Sequence, residues 1–251
     1  MKKVVFAVTL AMAACAALAQ SNPAPAPDWK VLNEQSIALF QKGDVDGAAV
    51  TGAKALEAAT AALGPDHLRV ASMQNNLAAL YRMQKKYAEA EPLYLRAIAT
   101  REKALGPDDP AVALTIANLA ALHDAQDHFE QAEKLYLRAL AIREKANGPD
   151  HLETVAVANS LGELYLAQRK YEKAEPLLQR AYVARAKALK PDDADLKKTK
   201  KDLWSLYASL GDNGRAEQYA QEGDITMTED QKRKLMIPMP SAAGTIARGG
   251  R

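Results

Sequence analysis

A step of 42 residues governs this chain. Gly64-Pro65-Asp66 returns as Gly106-Pro107-Asp108, again as Gly148-Pro149-Asp150, and in worn form as Lys190-Pro191-Asp192, with no slip in the spacing. The same step joins Ala48, Ala90, Ala132, Ala174 and Ala216, and it joins Val45, Tyr87, Phe129, Tyr171 and the divergent Asn213. Self-similarity at such a period means stacked supersecondary units, each too small to bury its own apolar face. The chain therefore reads as a linear array of five copies, the outer two weakest.

Within a copy the apolar positions recur at helical rather than alternating spacing: Met73, Leu77, Leu80 and Tyr81 in one segment, Tyr87, Ala90, Tyr94 and Ala97 in the next. Each repeat is thus a helix pair, broken internally at Gly43, Lys85, Asp127, Arg169 and Gly211. Between repeats, a glycine can leave the helix in a left-handed conformation, and the proline after it cannot continue the helix. Asp109-Pro110 then supplies an N-cap and a first-turn proline for the next helix. The period also fits armadillo-type repeats and propeller blades. Blades, however, need alternating strands and turn pairs, which are absent here. Small alanines at 90 and 97, alternating with Tyr87 and Tyr94, let two helices approach closely while the rings fill the flanking holes.

This pattern, Leu77-Ala78-x-x-Tyr81 followed by Tyr87-x-x-Ala90-x-x-x-Tyr94-x-x-Ala97, resembles the tetratricopeptide repeat (TPR). The extended second helix, Arg101-Glu102-Lys103-Ala104-Leu105-Gly106-Pro107-Asp108, is similar to the 42-residue variety of kinesin light chains and many bacterial proteins. The resemblance covers about residues 29–222 and is densest over 68–189. It implies an all-α, right-handed superhelical solenoid of about five helix-turn-helix repeats, at about 29–66, 67–108, 109–150, 151–192 and 193–222. It also implies a scaffold that binds a protein or an extended peptide segment and needs no cofactor.

The flanks read differently. Lys2 and Lys3, an apolar run from Val4 to about Ala17 and the triplet Ala17-Leu18-Ala19 predict a secretory signal peptide over 1–19, cleaved after Ala19. The run is too short to cross a hydrocarbon core of about 30 Å as a helix. Residues 20–28 form a Pro/Ala spacer, and 223–251 a basic tail expected to be mostly disordered. The expected location is periplasmic or secreted. The alternative is a membrane-anchored lipoprotein acylated at Cys15, the single cysteine, since Met12-Ala13-Ala14-Cys15 loosely resembles a lipoprotein box. Removing Lys2 and Lys3 from 33 basic residues leaves 31 against 31 acidic ones. That balance argues against nucleic acid as partner, because phosphate contacts require a basic excess. Oligomeric state is not readable.

Nothing in the sequence assembles a catalytic site. GxSxG, GxxxxGK[ST] and HExxH are absent. His67 and His151 share a loop position with Asp109 and read as tolerated loop residues. His123 replaces the packing tyrosine of positions 81 and 165, and His128 flanks a turn. His123 with Asp127, or His128 with Asp124, are the local metal candidates, and neither makes a full ligand set. The lysines at 197, 198, 200 and 201 read as a solvated face of the terminal copy.

Function therefore rests on a surface. In a helix-pair solenoid the first helices line the inner wall. In the second copy Ser72, Asn75, Asn76, Ala79, Arg82 and Met83 form one stripe there. It continues through Leu114, Ala117, Asn118, Ala121, Asp124 and Ala125 to Ala156, Asn159, Ser160, Glu163, Leu166 and Ala167. A wall of small residues and amides suits an extended peptide, since an asparagine offers donors and an acceptor to any backbone. The residues assigned to this groove are Asn75, Asn76, Arg82, Met83, Asn118, Asn159 and Lys198. The resemblance puts a peptide-binding asparagine at Asn76 and Asn118, with Ser160 and Asp202 breaking the pattern. Asparagines here can equally hold neighbouring repeats in register, and the sequence leaves both uses open. The competing reading is a structural subunit of an envelope or secretion assembly that uses its convex face or its tail; an enzyme on this scaffold ranks last.

Overall fold

The computed structural model describes residues 28–223. The expected signal peptide, nearly all of the spacer and nearly all of the tail lie outside the described residues. Ten helices and no strands make up the described chain: α1 (Trp29–Gln41), α2 (Val45–Leu63), α3 (Leu68–Met83), α4 (Tyr87–Leu105), α5 (Pro110–Asp124), α6 (Phe129–Asn147), α7 (Leu152–Ala167), α8 (Tyr171–Ala188), α9 (Ala194–Leu210) and α10 (Asn213–Glu222). They pair in sequence, α1 with α2 through α9 with α10, and the fold is an all-α repeat solenoid.

Two units divide it, Met1–Pro65 and Asp66–Arg251. In the first, the Ser36 hydroxyl donates to the Ala48 carbonyl at 2.7 Å and pins α1 against α2. In the second, four helix pairs stack so that each second helix also packs on the first helix of the following pair, and α3, α5, α7 and α9 lie side by side. One continuous core runs through this unit from Ala78 to Tyr219. Ala90, Ala132, Ala174 and Ala216 are wholly buried, with Tyr94, Tyr136 and Leu178 filling the holes between them. Gly162 stands where Ala120 and Ala78 stand one and two repeats earlier. A Cβ there would lie 2.9 Å from the Leu178 side chain, so the smallest residue admits the leucine.

Two kinds of turn recur. Inside each pair, Gly43, Lys85, Asp127, Arg169 and Gly211 all take positive φ, from 57 to 83°. Between pairs the expectation of a left-handed glycine needs correction. Gly64, Gly106 and Gly148 combine φ of 85–92° with ψ of 155–164°, a region only glycine occupies without strain. Their N–H groups close the preceding helices, as Gly106 does on Glu102 O at 3.0 Å, and the extended ψ then sends the chain away. Lys190 cannot follow that path. There α8 stops one residue sooner, and Leu189 takes the exit in ordinary extended geometry.

The residue before each first helix caps it. Asp109 and Asp193 accept from the backbone N–H two residues on, at 2.7 and 2.9 Å. His67 and His151 do the same through Nδ1, at 3.0 and 3.3 Å. They are therefore N-caps and not tolerated loop residues, a role that their alignment with Asp109 already signalled. Lys200 departs from the solvated-face reading. It is buried, and its ammonium donates at 2.6 Å to the Glu222 carbonyl at the end of α10.

Two substitutions test these turns in opposite directions. No atom lies within 4 Å of a Cβ built on Gly106, so Gly106→Ala carries only the backbone penalty, about 1–3 kcal/mol. Denaturant titration should show that loss; an unchanged midpoint would refute the conformational account. Asp44 and Asp212 cap α2 and α10 with their side chains, whereas Lys86 sits in the same backbone geometry before α4 and caps nothing. Lys86→Asp should stabilise by about 1 kcal/mol, and a loss in the same titration would contradict it.

Candidate binding face on the first helices

The side-by-side helices α3, α5, α7 and α9 carry every residue that the sequence assigns to a groove. Their placement separates those residues into two groups.

Asn75 and Asn159 are buried. Asn75 accepts from Asn118 Nδ2 at 2.9 Å across the α3–α5 boundary and donates to Asn76 Oδ1 at 3.2 Å. Asn159 donates to Glu163 and, at 3.3 Å, to Asp202 across the α7–α9 boundary. Its carbonyl accepts from Arg185 at 3.2 Å and from Thr199 Oγ1 at 3.0 Å. An amide so fully engaged has nothing left for a ligand. Both asparagines hold successive repeats in register and drop out of the open stripe, which corrects the expectation that they face a partner.

Asn76 and Met83 are exposed, and Asn118 is half-buried with its carbonyl outside the bond to Asn75. Arg82 is half-buried; its guanidinium acts electrostatically on Tyr94, Asp124 and Tyr136. Lys198 is bound to Glu163 and lies 3.6 Å from Asp202.

The wall is more acidic than a reading of small residues and amides suggests. Asp124, Glu163 and Asp202 line it at three successive first helices. Burial, reinforced by Glu163 and Asp127, holds the Asp124 carboxyl above its ordinary range. Burial and then the charge of Glu163 push Asp202 up to about 6 despite Lys198. Glu163 and Asp202, with Leu166, Ala167, Arg169, Tyr171, Ser205 and Ser209, line a cavity of about 630 Å³ that is broadly open to solvent.

Behind the wall runs a set of buried side chains that sequence reasoning missed. Arg101, Arg143 and Arg185 repeat at the 42-residue step, each about 5% exposed. Arg101 donates to Ala111 O at 2.7 Å, Thr115 Oγ1 at 2.5 Å and Ser72 Oγ at 3.1 Å, tying α4 to α5 and α3. Arg185 reaches Thr199 Oγ1 and Asp195 O in the same way. Val157 replaces the threonine in between, and Arg143 pairs instead with Glu153. The recurring arginine, with threonine fourteen residues on in two of three cases, was the available signal.

A second recurring clamp explains His123. Tyr165 and Tyr207 donate to Glu133 and Glu175, both at 2.8 Å. His123 holds the same position, its Nε2 3.9 Å from Glu91. It serves helix packing. Among the described residues no group of three or more His, Cys, Asp or Glu could hold a metal ion.

The Asp202 shift has a definite sign. Its folded value near 6 lies above the ordinary 3.8, so the folded chain takes up this proton more readily. Stability from this group therefore rises as pH falls from about 6 towards 4. Asp202→Asn should raise the melting temperature more at pH 7.5 than at pH 4.5, as followed by circular dichroism. A difference independent of pH would contradict the assignment.

The sequence matches the tetratricopeptide repeat family over residues 30–103, 69–145 and 129–187. Among solved structures the fold is similar to that of BtubC (BKLC) from P. vanneervenii, at 22% identity and a TM-score of 0.66, covering 88% of this chain and 86% of that one. It is also similar to a kinesin light chain with nearly identical TPR-like repeats from Podosopora anserina, at 21% identity and a TM-score of 0.65, covering 78% and 92%. The apo form of RapI matches at 13% identity and a TM-score of 0.58, covering 93% of both chains. Identities this low show the fold alone. Comparison with curated proteins gives no significant match. The chain belongs to the tetratricopeptide repeat family, its repeats stepping by 42 residues.

Proposed function

We propose that this chain is an exported adaptor that binds an extended polypeptide segment along the face of α3, α5, α7 and α9. The observation that carries the reading is the pattern left open on that face after the register bonds are made. Asn76 and Met83 are exposed on α3, Leu114 is exposed on α5 beside the half-buried Asn118, and the cavity lies between α7 and α9. The Asn76 amide nitrogen and the Asn118 carbonyl, the halves of those amides outside the bonds to Asn75, stand next to apolar side chains at the spacing of successive helices and fit a peptide backbone and its alternating side chains. The family supplies a scaffold suited to protein interaction, and no chemical step is needed for such a role. Export rests on the signal-like segment 1–19, with cleavage after Ala19 or, alternatively, acylation of Cys15.

One observation favours a second reading. Leu95 on α4 and Leu137 on α6 occupy equivalent positions, and each is about half exposed. A subunit of an envelope or secretion assembly could contact its neighbours through that second-helix face.

Peptides selected from a random library on the full chain separate the two. Exposed residues spare the fold, so Asn76→Ala combined with Met83→Ala should weaken the selected peptides about tenfold or more, while Leu95→Ala with Leu137→Ala leaves them unchanged. The reverse outcome, measured by fluorescence anisotropy, would overturn the first reading in favour of the second.

A further inference from the structure

The cavity between α7, the start of α8 and α9 has a volume of about 630 Å³, within the range of sites that hold a side chain or small ligand. Its floor carries two carboxylates on facing helices. Glu163 receives Lys198 and Asn159, and both of those bonds fall on Oε1. Asp202 meets Asn159 at 3.3 Å and Lys198 at 3.6 Å, and both contacts fall on Oδ2. The two carboxyl groups also contact one another, a like-charge meeting that helps to raise Asp202. Ser205, Ser209 and Tyr171 add hydroxyls to the lining, and Arg169 stands at the turn leading into α8.

The charge balance at the floor points to the ligand. The Lys198 ammonium lies against the two carboxylates with its side chain half exposed, and Arg169 borders the same cavity. Lys198 leaves Asp202 in an unfavourable field, since burial and Glu163 together outweigh it. An incoming cation would relieve that field, and a guanidinium could meet paired carboxylate oxygens in the forked geometry it favours. The hydroxyls along the cavity suit the polar backbone on either side of such a residue.

We propose that this cavity receives an arginine or lysine side chain of the bound segment, which displaces the Lys198 ammonium from Glu163 and Asp202. The proposal rests on the adaptor reading and specifies one side chain of its partner. Lys198 acts as an internal surrogate that keeps the carboxylates paired while the face is empty. This reverses the assignment of Lys198 as a direct contact: it competes with the ligand.

The test uses the full chain and two blocked tripeptides, acetyl-Ala-Arg-Ala-amide and acetyl-Ala-norleucine-Ala-amide, titrated while backbone amide resonances are recorded. The arginine peptide should move the amides of Glu163, Leu166, Ser205 and Ser209 saturably, and the norleucine peptide should not. Glu163→Gln with Asp202→Asn should weaken the arginine peptide about tenfold or more. Lys198→Ala should tighten it severalfold, an effect that no purely structural role for Lys198 produces. Equal shifts from both peptides, no saturable shift, or weaker binding to Lys198→Ala would each overturn the proposal. If library-selected peptides still depend on Asn76 and Met83 in that event, the cavity assignment fails alone; if they do not, the adaptor reading fails with it.

Discussion

Everything in this molecule depends on the contact between one helix pair and the next. A pair of helices of sixteen to nineteen residues, such as α3 with α4, cannot enclose an apolar core by itself, so each pair must offer its flank to its neighbour. The wholly buried alanines at 90, 132 and 174 permit the close approach within pairs, and Tyr94, Tyr136 and Leu178 occupy the space between them. Upon this apolar seam the chain lays polar ties that only a correctly indexed stack can form. Asn118 reaches Asn75, Asp202 receives Asn159, and Arg101 and Arg185 pass from second helices into the backbone and hydroxyls of the following first helices. A slip of one residue would orphan these buried groups, at a cost of about 1–3 kcal/mol each. The seam supplies adhesion, and the ties supply register.

That division explains which parts of the structure were legible in the sequence. Period, helix pairs and breaks follow from local chemistry: alanine and aromatic spacing, a glycine that alone tolerates the exit geometry, and capping residues at one fixed index. Boundaries such as Ala194–Leu210 for α9 are set by these local signals. The binding face was only partly legible. A helical wheel places Asn75 and Asn76 next to each other on one stripe, yet a rotation of 100° per residue is enough to bury the first against α5 and leave the second in solvent. Partners across repeats decide an amide's use, and those partners are set by stacking geometry that no single helix encodes. The buried arginines escaped notice for the related reason that Arg101 precedes Glu102 and Lys103, whose charges lie on the outer surface. The histidine caps could have been read from their alignment with Asp109.

The outer surface follows the same indexing. Lys103 pairs with Asp66 and Lys145 with Asp108, while Arg138 and Arg180 pair with Glu102 and Glu144. Exposed pairs of this sort contribute little to stability individually, about 0–1 kcal/mol each. Their regularity marks an architectural face. The first-helix face is less regular. Its residues change from repeat to repeat, from Arg82 through Asp124 and Leu166 to Ala208 at one index, and from Ala79 through Ala121 and Glu163 to Ser205 at another. A scaffold whose structural positions repeat while one face varies presents a different surface at each repeat, with Arg82 on α3, Asp124 on α5, Glu163 on α7 and Asp202 beside Lys198 on α9.

Whether that face is the one occupied can be read most directly by site-specific photocrosslinking. A benzoylphenylalanine placed at Met83 or Ala125, on first helices, should crosslink to a bound polypeptide, and the same group at Leu95 or Leu137, on second helices, should not. Crosslinks confined to Leu95 and Leu137 would contradict the account and move the binding surface to the opposite side of the array.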